Sequence, residues 1–272
     1  MENKKKVWNG YRKILITMGN KIDVNSLTNL GSILVDKKQG EIEFLKVIEI
    51  NFNGHIPPDW REGYEIIEKS HNMMIEQGIQ SKKEVETAIS IEKGILEEAK
   101  KIMADAIVLG WGPKPKSSIS ALVSRIIRKA NCDIIVMKQR CNLNQIKNIV
   151  YPLAKKPSIN RLRLIKKIIT NNESELTFLH ISEDNPEDKK WGHKLLERAN
   201  REAAEMGINA KTEMVISSNF LDEITEISKK YELMILGPSG GWWLRKNLFG
   251  KKADKIAANA HCSVLLHKSN KD

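Results

Sequence analysis

The chain has 272 residues, 41% of them apolar, and carries 45 Lys and Arg against 34 Asp and Glu, a formal charge of +11. That length and apolar content fill one large or two ordinary domains and exclude a disordered tail. The charge is even along the chain: residues 1–140 hold 23 basic and 18 acidic groups and residues 141–272 hold 22 and 16. Such a spread excludes a basic nucleic-acid-binding arm, and with 6% aromatic residues no base-stacking sheet is expected either. Cys132, Cys141 and Cys262 show no Cys-x-x-Cys spacing, which argues for a reducing compartment rather than a disulfide framework. No stretch approaches the roughly 18 apolar residues of a membrane span, so a soluble, cytoplasmic chain is expected.

In chain order, residues 14–17 form a short apolar run suited to a buried strand, 24–35 carry helical periodicity, and 41–50 read as a second strand. Residues 60–77 predict a helix with Ile66, Ile67, Met74 and Ile75 on one face; 84–89 a third strand; 91–103 a helix; 106–109 a strand; 119–129 a helix; and 134–137 a closing strand. The order then begins again, with strands at 149–153, 176–181, 211–216, 233–236 and 264–267. Helices are predicted between them at 159–169, 186–206 and 221–231, and after Gly250.

This second pass is a repeat in residues as well as in pattern. Ala-Asp-Ala-Ile-Val-Leu-Gly at 104–110 is echoed by Tyr-Glu-Leu-Met-Ile-Leu-Gly at 231–237. Ala-Asn-Cys-Asp-Ile-Ile-Val-Met-Lys at 130–138 is echoed by Ala-His-Cys-Ser-Val-Leu-Leu-His-Lys at 260–268. Two domains follow, 11–139 and 146–269. Strands alternating with helices at this spacing mean right-handed crossovers and a parallel sheet covered on both faces, so each half is expected to be a doubly wound α/β domain.

In such sheets anions bind at the carboxyl ends of strands, on helix N-termini. The loop after residue 236 reads Gly-Pro-Ser-Gly-Gly-Trp-Trp-Leu-Arg-Lys-Asn-Leu-Phe-Gly-Lys-Lys, in which Gly237, Gly240 and Gly250 fit G-x2-G-x9-G. With this loop, the order of elements and the closing apolar strand, the chain resembles the universal stress protein family, and its two copies are similar to the tandem members. The resemblance implies two flavodoxin-like domains, each a five-stranded parallel sheet of order 3-2-1-4-5, paired through their last strands. It also implies ATP or AMP in the glycine loop of some members, with Mg²⁺ left open. For this chain the expected nucleotide-binding residues are Gly237, Gly240, Gly250 and Lys251 of the second copy.

The departures are specific. Lys251 and Lys252 stand where nucleotide-binding members have Ser or Thr, and Gly19 and Ala154 stand where they have an Asp at the end of the first strand. The first copy's loop, 110–120, is three residues shorter and puts Ser120 at the third glycine, so it reads as degenerate. Arg245, Lys246, Lys251, Lys252 and Lys255 surround the second loop, and Arg161, Arg163, Lys166 and Lys167 lie on the helix after the first strand of that copy. The plain reading of these cations is a solvated face; the sharper one is attraction to phosphate or to an anionic membrane surface. The plain reading of the glycines is a set of turns, with Trp242 and Trp243 covering a seam.

Catalytic residues are not expected. The six histidines are scattered, and no zinc-binding or nucleophile-elbow pattern occurs. His180 and His267, inside apolar strands, read as core residues, and Cys132 and Cys262 as packing residues. The resulting expectation is a non-enzymatic stress-response binding module, with a slow ATPase as the one activity considered. Its partners would be the other copy, a second chain, or a membrane transporter or anionic membrane surface at the inner face. The rival expectation is a cytoplasmic regulatory domain of, or acting on, an amino acid or cation-coupled transporter, working without nucleotide.

Overall fold

The computed structural model describes residues 8–19, 24–50, 60–111, 121–237 and 250–270. In the first half the elements are β1 (Lys13–Thr17), α1 (Val24–Leu34), β2 (Glu41–Glu49), α2 (Trp60–Glu76), β3 (Gln80–Ala88), α3 (Ile91–Lys101), β4 (Ala106–Gly110), α4 (Ala121–Lys129) and β5 (Asp133–Lys138). In the second they are β6 (Asn148–Pro152), α5 (Ile159–Asn172), β7 (Glu175–Ser182), α6 (Pro186–Ala204), β8 (Ala210–Ile216), α7 (Phe220–Ile227), β9 (Leu233–Leu236), α8 (Gly250–Asn259) and β10 (Ser263–Lys268). Several helix starts are written locally: the side chains of Ser90, Ser158, Asn185 and Asn219 each accept from an N–H of the first turn, and Pro186 follows Asn185 at the first helical position.

The strands form one sheet in the order β3-β2-β1-β4-β5-β10-β9-β6-β7-β8. Each half is parallel throughout with the order 3-2-1-4-5, and the two closing strands pair antiparallel, Val264 opposite Lys138 through Lys268 opposite Ile134. The strand β3 begins four residues earlier than its apolar pattern suggests. It pairs with β2 over its full length, yet as an edge strand it is only half covered, so Gln80–Lys83 carry no apolar signal.

Both faces of the sheet are covered, and this explains the unbroken apolar runs of the central strands. Ile14 and Ile16 face one layer with α1, α2, α5 and α6, while Leu15 faces the other with α3, α4, α7 and α8. Phe44 and Phe178, each the fourth residue of the second strand of its half, are fully buried; truncating either to Ala costs about 3–5 kcal/mol.

The seam between the halves uses equivalent residues reciprocally. Lys138 Nζ donates to Ala257 O (2.5 Å) and Ala258 O (2.8 Å) in the last turn of α8, and Lys268 Nζ donates to Ile127 O (2.8 Å) in the last turn of α4. Asp133 Oδ1 accepts from Asn270 N just past β10, and Ser263 Oγ accepts from Arg140 N and Cys141 N just past β5. Each strand thus neutralises carbonyls at the negative end of the other half's helix and caps the other half's chain exit. Because β5 and β10 run in opposite directions, the carboxyl ends of the second half's strands share an edge with the amino ends of the first half's strands.

Candidate functional site

In the second half β6 and β9 are neighbours, and the chain leaves them for opposite faces of the sheet. The helix α5, after β6, packs on the layer with Leu162 and Ile165, and α8, after β9, packs on the other with Ile256 and Ala257. Two helix N-termini therefore flank one crevice at the carboxyl edge, the topological switch point at which doubly wound sheets bind ligands.

Gly237 sits in this crevice, one residue past β9, and Gly250 is the first residue of α8 with Lys251 next to it in the first turn. Gly240, Trp242 and Trp243 lie outside the described residues, as does Ser120 of the first copy's loop. Ala154 is an exposed bend just past β6, and Gly19 lies two residues past β1; neither offers a side-chain acceptor for a sugar.

The residue against Gly237 is Arg161. A Cβ placed on Gly237 would meet the Arg161 guanidinium at less than 3.0 Å, so a side chain there must shift the arginine's tip. The Arg161 side chain is 3% exposed, which overturns the solvated-face reading for this one cation of α5. Its Nη1 donates to Tyr151 Oη (2.8 Å), its Nη2 donates to His267 O (2.9 Å), and the guanidinium stands 5.7 Å from the centre of the Tyr151 ring. The carbonyl it caps belongs to β10 at the level where β9 has already ended, so the arginine replaces a missing ladder donor.

The same strand carries the site across the seam. His267 Nε2 lies 3.2 Å from Asp133 Oδ2, and Tyr11 Oη donates to that same oxygen at 2.7 Å. Burial pushes the Asp133 carboxyl up, but His267, the Asn270 N–H and Tyr11 outweigh it and hold the group below the usual carboxylate range. Burial, reinforced by the Asp133 charge, drives the Tyr11 phenol well above its ordinary value. A buried polar chain thus runs from Arg161 through His267 to the amino edge of the first half. On α8, Asp254 is partly buried, its carboxyl is pushed up to about 6 by burial, and its Oδ1 has no hydrogen-bond partner among the described residues.

The other singled-out residues are structural. His180 is buried, with Nδ1 2.9 Å from Leu153 O and its ring edge-on to Trp191. Cys132 and Cys262 are buried, and desolvation raises both thiols to about 12. The contact between Arg161 and Gly237 joins residues far apart in the chain and has no local signature. A signal was nonetheless present: Arg161 falls in step with Ile165 and Ile168 on the buried face of α5.

No family model matches the chain. A universal stress protein of Methanocaldococcus jannaschii is 34% identical over 85 residues, 30% of this chain and 49% of that protein, so the match spans about half the length of this curated relative. Among solved structures, a functionally unknown protein of Pseudomonas aeruginosa PAO1 matches with TM-score 0.70 and 12% identity, over 97% of this chain and 94% of its own. A universal stress protein of Archaeoglobus fulgidus matches with TM-score 0.58 and 17% identity over 94% and 96%. The cytoplasmic domain of a prokaryotic cation chloride cotransporter matches with TM-score 0.63 and 13% identity over 97% of each chain. The chain is thus similar to a universal stress protein in sequence over one segment, and it shares its fold with a solved universal stress protein over nearly its whole length.

Proposed function

We propose that the chain is a non-enzymatic regulatory binding module whose second half receives the phosphate end of an adenine nucleotide, ATP or AMP, at the switch point between β6 and β9. The observation that carries this reading is the buried Arg161 guanidinium against Gly237, a fixed positive charge beside the N-termini of α5 and α8. Gly240, Gly250 and Lys251 complete the proposed cradle, with Lys251 supplying charge in place of a hydroxyl. The phosphate end fits these groups; the adenosine end has no carboxylate at Ala154 to hold it, so binding rests on the phosphates.

Calorimetric titration with ATP and AMP, with and without Mg²⁺, tests the reading. Saturable binding is expected, weakened at least about tenfold by Lys251→Ala together with Lys252→Ala, because charge-assisted contacts are worth roughly 1.5–3 kcal/mol each. Absence of saturable binding by the wild-type chain would refute it.

A second reading is favoured by the likeness in fold to a cotransporter cytoplasmic domain over 97% of each chain, and by the missing carboxylates at Gly19 and Ala154. In it the chain regulates a membrane transporter by protein contact, without nucleotide. It predicts no ATP-dependent shift in melting temperature and salt-sensitive co-sedimentation with membranes that hold the transporter.

A further inference from the structure

The seam holds a second concave, basic feature, away from the glycine loop. On the face carrying α1 and α5, the turn after α1 approaches α5 and leaves a groove of about 600 Å³, bordered by Trp8. Lys37 and Lys38 from the first half and Arg163, Lys166 and Lys167 from the second line it, against two carboxylates, Asp36 and Glu205. Asp36 is engaged by its own turn, accepting from the N–H groups of Lys38 and Gln39, and Lys166 is committed to Met206 O at 2.5 Å. Arg163 reaches Asn160 Oδ1 at 3.2 Å. Among the described residues, Lys37, Lys38, Arg163 and Lys167 have no carboxylate within ion-pair distance.

Two further observations separate this groove from a scatter of surface lysines. The repeat does not explain the cations: β1 begins at Lys13 and β6 at Asn148, α1 at Val24 and α5 at Ile159, an offset of 135 in both cases. At that offset Lys37 and Lys38 correspond to Asn172 and Glu173, and Arg163 and Lys167 to Thr28 and Ser32, so the twin positions carry no positive charge. The charge is also held at a cost. Lys37 is lowered from the ordinary lysine range by partial burial and by the nearby Lys167, and partial burial lowers Lys167 although Asp36 opposes it. Cations are thus brought together from two halves and partly dehydrated, and they outnumber the two carboxylates beside them.

We propose that this groove binds a small phosphate-bearing anion, held by Lys37, Arg163 and Lys167 beside Trp8. A small ligand rather than a membrane surface is favoured because the cations of two elements line one concavity. The groove continues past Trp8 and Arg163 into a cavity of about 840 Å³ along the amino edge of the first half, bounded by Tyr11 and Asp133 of the seam network, which leaves room for a body attached to the phosphate.

The test is calorimetric titration of the full chain with inorganic tripolyphosphate at low ionic strength. Wild type is compared with Lys37→Ala plus Lys167→Ala and with Lys37→Glu, each measured also in a Lys251→Ala plus Lys252→Ala background that removes the charge of the glycine loop. The expected result is saturable binding, present in the loop-substituted background as well, that weakens at least about tenfold in both seam variants. A ligand-dependent change in tryptophan emission should accompany it and be absent in Trp8→Phe. Unchanged affinity in the seam variants, or no saturable binding in the loop-substituted background, would overturn the proposal. So would a wild-type chain that ignores tripolyphosphate yet binds vesicles of phosphatidylglycerol. Melting curves verify that the variants, altered at the groove surface, remain folded.

Discussion

Replacing Gly237 by Ala isolates what that glycine is for. Gly237 does not belong to the positive-φ glycines of the structure, so its backbone accepts a side chain without strain. The substitution acts only through space: the new Cβ falls on the Arg161 guanidinium and must displace it. Displacement breaks bonds to Tyr151 Oη and His267 O, two charge-assisted contacts of about 1.5–3 kcal/mol each, around a cation that is 3% exposed. Partial relaxation of the flexible arginine lowers the sum, so a loss of about 2–4 kcal/mol is expected. In an Arg161→Ala background the same methyl group enters vacated space, and its effect should be near zero or slightly stabilising, as for Gly to Ala at a compatible position. The assay is urea unfolding followed by circular dichroism for wild type, both single variants and the double variant. Unfolding of two halves need not be two-state, so the midpoints of the second-half transition are compared. A coupling of about 2 kcal/mol or more is predicted. Costs of Gly237→Ala that agree within about 0.5 kcal/mol in the two backgrounds would refute the reasoning.

Glu43 and Glu98 form a buried carboxyl pair in which Glu43 is pushed up to about 7, by burial first and then by the hydrogen bond and charge of Glu98. Its folded value lies above its unfolded value near 4.5, so the stability it contributes is fully present below about pH 4.5 and is lost as pH rises through 7. Glu43→Gln should therefore stabilise the protein at pH 8, by on the order of 2 kcal/mol, and flatten the profile between pH 5 and 8; parallel wild-type and variant profiles would count against a shared proton. Lys138→Met and Lys268→Met should each destabilise the seam by about 1–3 kcal/mol, since each strips a donor from last-turn carbonyls of the opposite half, and unchanged melting temperatures would contradict that role. With Cys132 and Cys262 raised to about 12 by burial, a disulfide reagent at pH 8 should titrate at most one thiol in the native chain and three in denaturant; rapid reaction of two or more native thiols would disprove their burial.

The amino-acid sequence alone determined the succession of elements. Apolar runs such as Ile14–Ile16 and the periodic faces of the helices follow from which side chains must leave water, and the echo of residues 104–110 and 130–138 at 231–237 and 260–268 carries the same sheet twice. Capping residues fixed several helix starts because their bonds span three residues, a distance that local sequence can read. Where one side of a strand is left to solvent, as in β3, the apolar signal thins and the boundary is misread. Tertiary structure decided the rest. Arg161 is a surface cation by composition, and it became a buried partner of Gly237, Tyr151 and His267 because the packing of α5 on the sheet of its own half brings the ends of β6, β9 and β10 around it. Lys37 and Lys167 lie in different copies and read as unrelated solvated charges, and only the packing of α5 against the end of α1 places them in one groove. Contacts of this kind depend on how two folded halves meet, and no periodicity within either half encodes that meeting.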